Sequence, residues 1–208
     1  MAIRAVIFDL GGVILGSPID AFTAYEAELG LPHQFLNRMI VDNGEGGAWQ
    51  RFERGELAMP EFLDAFDQEV AAAGVQISAA TLMQRVAQVS QPRPEMLAAI
   101  GRIREAGLRV AALTNNWASE DQRSKMSLLR DHFDVFVESV REGLRKPDPR
   151  IYALVCNRLG VAAVEAVFLD DIGRNLKPAR AMGMTTIRVS SAPQALSELE
   201  PVLGLSLS

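Results

Sequence analysis

Five short apolar runs limit what this chain can fold into more than any other feature. They cover residues 5–9, 109–114, 133–137, 166–170 and 185–189. Each run is continuous rather than alternating, so both faces must be covered, as in strands of a parallel sheet packed between helices. Helical patterns separate the later runs. Met96, Ile100 and Ile103 form a stripe that Gly107 is placed to end. Asp148-Pro149 reads as an N-cap with a first-turn proline, ahead of Ile151, Leu154, Val155 and Leu159 and a stop at Gly160. This alternation predicts an α/β fold: a Rossmann-like, doubly wound parallel sheet.

The first connection is far too long for a simple crossover, which needs about a dozen residues. Residues 16–91, 76 in all, are surplus and read as helical throughout. Ser17-Pro18 opens a helix with the stripe Phe22, Tyr25 and Leu29 and a stop at Gly30. Phe35, Met39 and Ile40 follow, then Trp49 and Phe52, then Phe62, Phe66 and Val70 after Pro60. Ser78 opens the last, with Leu82, Val86 and Val89. The expected division is an α/β core of residues 1–15 and 92–208 with an all-helical cap, residues 16–91, inserted after the first strand. Hinges are expected near Gly16 and Pro92. An insertion there lies over the carboxyl ends of the strands, where open sheets bind ligands.

Composition narrows the function classes. The net charge of −5 and a pI of about 5.2 argue against a nucleic-acid or anionic-membrane partner. No apolar run reaches the roughly 18–20 residues of a membrane span, and no secretory signal is recognisable, so a cytoplasmic protein is expected. The single Cys156 and the distant pair His33 and His132 exclude an internal disulfide and a histidine-rich zinc site. Against 18 arginines stand only three lysines, Lys125, Lys146 and Lys177, each a candidate for a site that wants a compact ammonium.

The residues that end the runs carry the chemistry. Asp9 ends the first; Thr114, Asn115 and Asn116 end the second; Asp170 and Asp171 end the fourth. Lys146 lies in the loop after the third. Close carboxylates need a cation to coexist, and oxygen-only ligands suit Mg²⁺. A carboxylate nucleophile, a hard metal and anion-binding donors are what phosphoryl transfer requires. An Asp9 carboxyl with an ordinary pKa near 4 would already be ionised at neutral pH.

Phe8-Asp9-Leu10-Gly11-Gly12-Val13-Ile14, Leu113-Thr114-Asn115, Lys146-Pro147 and Phe168-Leu169-Asp170-Asp171 resemble, in order and spacing, the four motifs of the haloacid dehalogenase superfamily. Residues 113–117 and 169–180 are similar to the amino-terminal phosphatase domain of soluble epoxide hydrolases. Residues 44–52 are similar to the phosphatase-like domain fused to certain acyl-CoA dehydrogenases. The resemblance implies that Asp9 is the nucleophile and forms an aspartyl-phosphate. It implies that Asp9, Asp171 and the Gly11 carbonyl hold Mg²⁺, with Asp170 just behind and Asn175 steadying that loop. Catalytic Thr114 and Lys146, with Asn115 and Asn116, would hold the phosphate of a small phosphorylated metabolite. A monomer or homodimer is expected.

Gly11 departs from the pattern. Phosphatases of this superfamily usually carry a second Asp there, which protonates the leaving group and later activates water. Such acid–base help is worth about 10²–10⁴-fold. The readings therefore rank as a Mg²⁺-dependent phosphatase, then a low-turnover phosphate-binding or regulatory domain, then a 2-haloacid dehalogenase. If Gly11 has a positive φ, it would resist replacement.

Overall fold

A computed structural model describes residues 2–207, without the side chains of residues 120–123 and 125, so Lys125 lies outside the described residues. The sheet has five strands, β1 (Ala5–Phe8), β2 (Arg109–Thr114), β3 (Val135–Glu138), β4 (Ala166–Asp170) and β5 (Thr185–Arg188). All pairs are parallel and the order is β3-β2-β1-β4-β5. The central β1 is flanked by β2 and β4, so the chain leaves it in opposite directions and opens a crevice at its carboxyl end.

Between β1 and Pro92 come five α-helices: α1 (Pro18–Glu28), α2 (Phe35–Asp42), α3 (Ala48–Glu53), α4 (Met59–Ala72) and α5 (Ala79–Val89). Six follow: α6 (Pro94–Glu105), α7 (Glu120–Arg130), α8 (Ser139–Glu142), α9 (Pro149–Leu159), α10 (Gly173–Ala181) and α11 (Ala192–Leu203). Ser17, Ser78 and Asp148 cap their helices as expected, each side chain accepting a backbone N–H. The strand ends shift by one or two residues. The third strand starts at Val135 rather than at Phe133, because the Asp134 carboxylate instead accepts the Val110 N–H at 2.8 Å.

Apolar residues pack in three groups. One side of the sheet carries α6 and α11, with Met96, Ile100 and Ile103 fully buried. The other carries α9 and α10, around Tyr152, Val155 and Leu176. The inserted helices have their own cluster, with Phe62, Phe66, Val70 and Leu82 at its centre and Trp117 reaching in from beyond β2. Leu29 does not join it; as the C-cap of α1 it is 43% exposed.

The insertion is tied to the sheet at two places. At its base the two linkers pair: Leu15 bridges Pro92, the Gly16 N–H donates to Gln91 O at 3.1 Å, and the Arg93 N–H to Ile14 O at 2.8 Å. A Cβ on Gly16 would fall 2.0 Å from the Val89 carbonyl oxygen, so only glycine lets them close. At the far side, the fully buried Ser139 hydroxyl accepts the Asn116 N–H at 2.9 Å and donates to the Glu53 carbonyl at 2.6 Å. That one side chain joins the ends of β2 and β3 to α3. Truncating it strands a buried donor and a buried acceptor, so Ser139→Ala is expected to lower unfolding stability by roughly 2–4 kcal/mol in urea titrations.

Candidate active site

The chain enters the crevice as β1 gives way to the turn Leu10–Ile14. Asp9 is 6% exposed; its backbone N–H donates to Leu169 O, and its Oδ1 accepts the Leu10 N–H at 2.7 Å. Lys146, 1% exposed, brings its Nζ to 2.7 Å from Asp9 Oδ1 and 2.8 Å from Asp170 Oδ2. The Lys146 backbone is held in turn by the Asn115 side chain. Asn115 Oδ1 accepts the Lys146 N–H at 2.8 Å, and Nδ2 donates to Lys146 O at 3.0 Å.

Asp170 is wholly buried beneath the cavity wall. Besides Lys146 it accepts the Ile172 N–H and, at 3.1 Å from each oxygen, the Asn175 amide. Asp171 reaches the cavity, where Ser17 Oγ donates to its Oδ2 at 3.0 Å. Ser17 thus caps α1 and orients an acid of the sheet, a double role with no signature in the sequence.

The three aspartates offer carboxylate oxygens within 4.8 Å of one another. Three carboxyl groups share the single Lys146 ammonium in a low-dielectric site, which disfavours ionising all of them at once. Burial pushes Asp9 well above the usual carboxylate range; Lys146 opposes the rise, and Asp170 and Asp171 add to it. Burial and Asp170 likewise push Asp171 up to about 6 against Ser17 and Lys146. Burial works against the Lys146 charge, but Asp170 and Asp9 outweigh it and raise its pKa. The ordinary carboxylate pKa expected for Asp9 therefore does not hold in this cluster by itself. An oxygen-only donor set in which three carboxyl groups share one ammonium fits a hard divalent cation.

The glycines divide their roles differently from expectation. Gly11 has φ −62° and ψ 129°, which any residue adopts, and a Cβ there would meet only Pro18, at 3.2 Å. The positive φ, 74°, belongs to Gly12, where a Cβ would lie 2.0 Å from Asp171 Oδ2. Gly12 is what lets Asp171 approach the turn.

One cavity collects Asp9, Gly11, Asn115, Lys146, Asp171 and Asn175. Two expected phosphate-site residues are not on its wall. Thr114 is buried at the end of β2 with its Oγ1 3.4 Å from Asn115 O. Asn116 turns away: its Nδ2 donates to Glu138 at 2.9 Å, and Glu138 is itself paired with Arg130 and Arg141. The inserted helices supply the opposite wall, including Phe22, Ile40 and Trp49, and Trp117 joins them. Trp49 packs edge-on against Phe22 and Phe62 and also lines the cavity. Glu53, Arg145 and Arg174 also line it, and sequence patterns did not single them out.

A haloacid dehalogenase-like hydrolase family model matches residues 3–183. Mouse acyl-CoA dehydrogenase family member 10 is 41% identical over 98% of the chain, and pig bifunctional epoxide hydrolase 2 is 35% identical over all of it. The chain spans only 19% and 40% of those two proteins. Sesquiterpene phosphatase astK of Aspergillus oryzae is 29% identical, with 97% of both chains covered. A family enzyme of Bacteroides thetaiotaomicron, solved with magnesium and inorganic phosphate, superposes with a TM-score of 0.66. It is 21% identical, with 95% of this chain and 99% of that one covered, a likeness of fold. The sheet order, the buried Asp9–Lys146–Asp170 contact and a family match across most of the sequence agree: the chain belongs to the haloacid dehalogenase-like hydrolases.

Proposed function

We propose that this protein is a Mg²⁺-dependent phosphatase of small phosphorylated metabolites. The observation that carries the reading is the buried cluster of Asp9, Asp170 and Asp171, whose three carboxyl groups share one lysine. Relatives named as phosphatases support it. Asp9, Asp171 and the Gly11 carbonyl would hold the metal, which when bound offsets the charge of the carboxylates and of phosphate oxygens.

In this reading a carboxylate oxygen of Asp9 attacks phosphorus, and the bond from phosphorus to the ester oxygen breaks. The leaving group departs with that electron pair. Water then attacks the aspartyl-phosphate, releasing inorganic phosphate and restoring Asp9. Lys146 holds one oxygen of the Asp9 carboxylate in place and lends its positive charge to the anion. Asn115 and Asn175 position Lys146 and Asp170 rather than touching the phosphorus. The helices of residues 16–91 act as a cap whose aromatic wall excludes water from the bound ester.

Gly11 favours a second reading, a phosphate-binding domain with little turnover, because no side-chain acid stands two residues after Asp9. The dehalogenase reading ranks below both, since halide displacement leaves the paired aspartates Asp170 and Asp171 without a task.

Steady hydrolysis of p-nitrophenyl phosphate that EDTA and Asp9→Asn each abolish is the expected result; slow phosphate binding without turnover would select the second reading. Saturating Mg²⁺, at about 100 times its Kd, should stabilise the fold by about 2.7 kcal/mol, read as a rise in Tm. Gly12→Ala should lose that rise, because its Cβ displaces Asp171. Wild-type rates should fall steeply as leaving-group pKa rises. Gly11→Asp should fold, given its φ of −62°, and raise alkyl phosphate turnover by up to about 10²-fold. A flat wild-type rate series would mean that another group already supplies the proton.

A further inference from the structure

The cavity holds a cation that the reaction above does not use. Arg174, in the first turn of α10, lines the same cavity as Asp9. Its Nε is buried without a hydrogen-bond partner, and no ion pair or hydrogen bond engages the guanidinium among the described residues. Three acids whose charge acts on it have other partners. Asp170 is engaged by Lys146 and Asn175. Glu53 accepts Arg145 Nε at 2.8 Å through one oxygen and the Trp49 indole N–H at 2.9 Å through the other. Glu45 pairs with Arg54 and Arg145. Burial and the neighbouring Arg145 lower the Arg174 pKa, as expected of a cation short of countercharge. On this part of the wall Arg145, Arg174 and Glu53 sum to one positive charge, next to a cluster that takes a metal and a phosphoryl group.

A half-buried guanidinium whose buried Nε–H is free leaves a polar cost unmet until an acceptor arrives. Its planar N–H edge matches the paired oxygens of a carboxylate or phosphate. Resting on the phosphatase reading, we propose that Arg174 is a specificity-determining residue that binds a second anionic group on the substrate, beside the phosphoryl group that Asp9 attacks. The preferred substrates are then doubly anionic: phosphorylated carboxylic acids or bisphosphates, rather than neutral-tailed phosphate esters.

Three non-hydrolysable phosphonates test this by calorimetry with Mg²⁺ present: propylphosphonate, 3-phosphonopropionate and propane-1,3-diphosphonate. The wild type should bind one or both of the anionic-tailed compounds about 10–100-fold more tightly than propylphosphonate, as charged hydrogen bonds allow. The compound with the larger ratio tells a carboxylate from a second phosphate. Arg174→Ala should bring the ratio close to one, and Arg174→Lys should keep part of it. Should the alanine variant fail to fold by circular dichroism, Arg174→Gln replaces it. Equal wild-type binding of all three overturns the proposal, as does a ratio that survives Arg174→Ala. A variant that loses all three ligands equally also overturns it, since Arg174 would then hold the shared phosphonate. A normal ratio in a protein that hydrolyses no phosphate ester would instead remove the phosphatase reading and leave the anion subsite standing.

Discussion

The site depends on one buried ammonium. Lys146 Nζ sits between Asp9 and Asp170, at 2.7 and 2.8 Å, where almost no water reaches. Its charge opposes the rise that burial and the neighbouring acids impose on Asp9. Buried ion pairs seldom add stability over apolar packing, because desolvation offsets the attraction. The chain nevertheless spends the Asn115 side chain on the Lys146 backbone and Asn175 on Asp170 to keep this pair in register. Such an arrangement is poor as a fold stabiliser and useful as a charged pocket, which is why the proposed chemistry is centred there.

A second polar link decides what faces that pocket. Ser139 fastens the end of α3 to the loops after β2 and β3, and Arg145 reaches from beside Lys146 to Glu53. The same Glu53 fixes the Trp49 indole. Helix α3 therefore presents its aromatic face to Asp9 at a set distance, and one continuous network runs from Lys146's neighbour to the aromatic wall. The cavity is apolar where Phe22, Ile40, Trp49 and Trp117 line it and charged where Asp9, Lys146, Asp171, Glu53, Arg145 and Arg174 do. On the proposed function, a ligand spanning both carries its phosphate on a body that tolerates Phe22, Ile40 and Trp117.

Much of this was legible in the sequence because it follows from local rules. Continuous apolar runs gave the five strands, the 76-residue excess gave the inserted helices, and Asp9, Asp170, Asp171 and Lys146 stood where strand ends converge. What was not legible depends on partners distant in sequence. Asn116 sits beside Asn115 in the chain, yet Glu138 draws it away from the cavity. Ser17 reads as a helix cap and also holds Asp171, 154 positions later. Arg145 and Arg174 are indistinguishable by type, and only the positions of Glu45 and Glu53 make one committed and the other free. The raised Asp9 pKa is likewise a property of burial and of two neighbouring acids, not of the motif.

The adjacent glycines carry this distinction into the chemistry. Gly12 is imposed by geometry: its φ of 74° and the approach of Asp171 leave no room for a side chain. Gly11 is far less constrained: its backbone is ordinary, and a Cβ there would meet the Pro18 ring at 3.2 Å, a contact that a small shift of the ring relieves. The absence of an acid at Gly11 is therefore not the by-product of a turn that only glycine can make. This is the position where superfamily phosphatases keep a proton donor, and here it carries no side chain. On the proposed mechanism, the driving force for leaving-group departure must then come from the substrate: a weakly basic leaving oxygen, or an acidic group carried next to it. A substrate whose second anionic group is held by Arg174 meets the cavity's charge balance. Whether it also meets the leaving-group demand depends on how basic its ester oxygen is, so the two requirements together restrict the substrate more than either does alone.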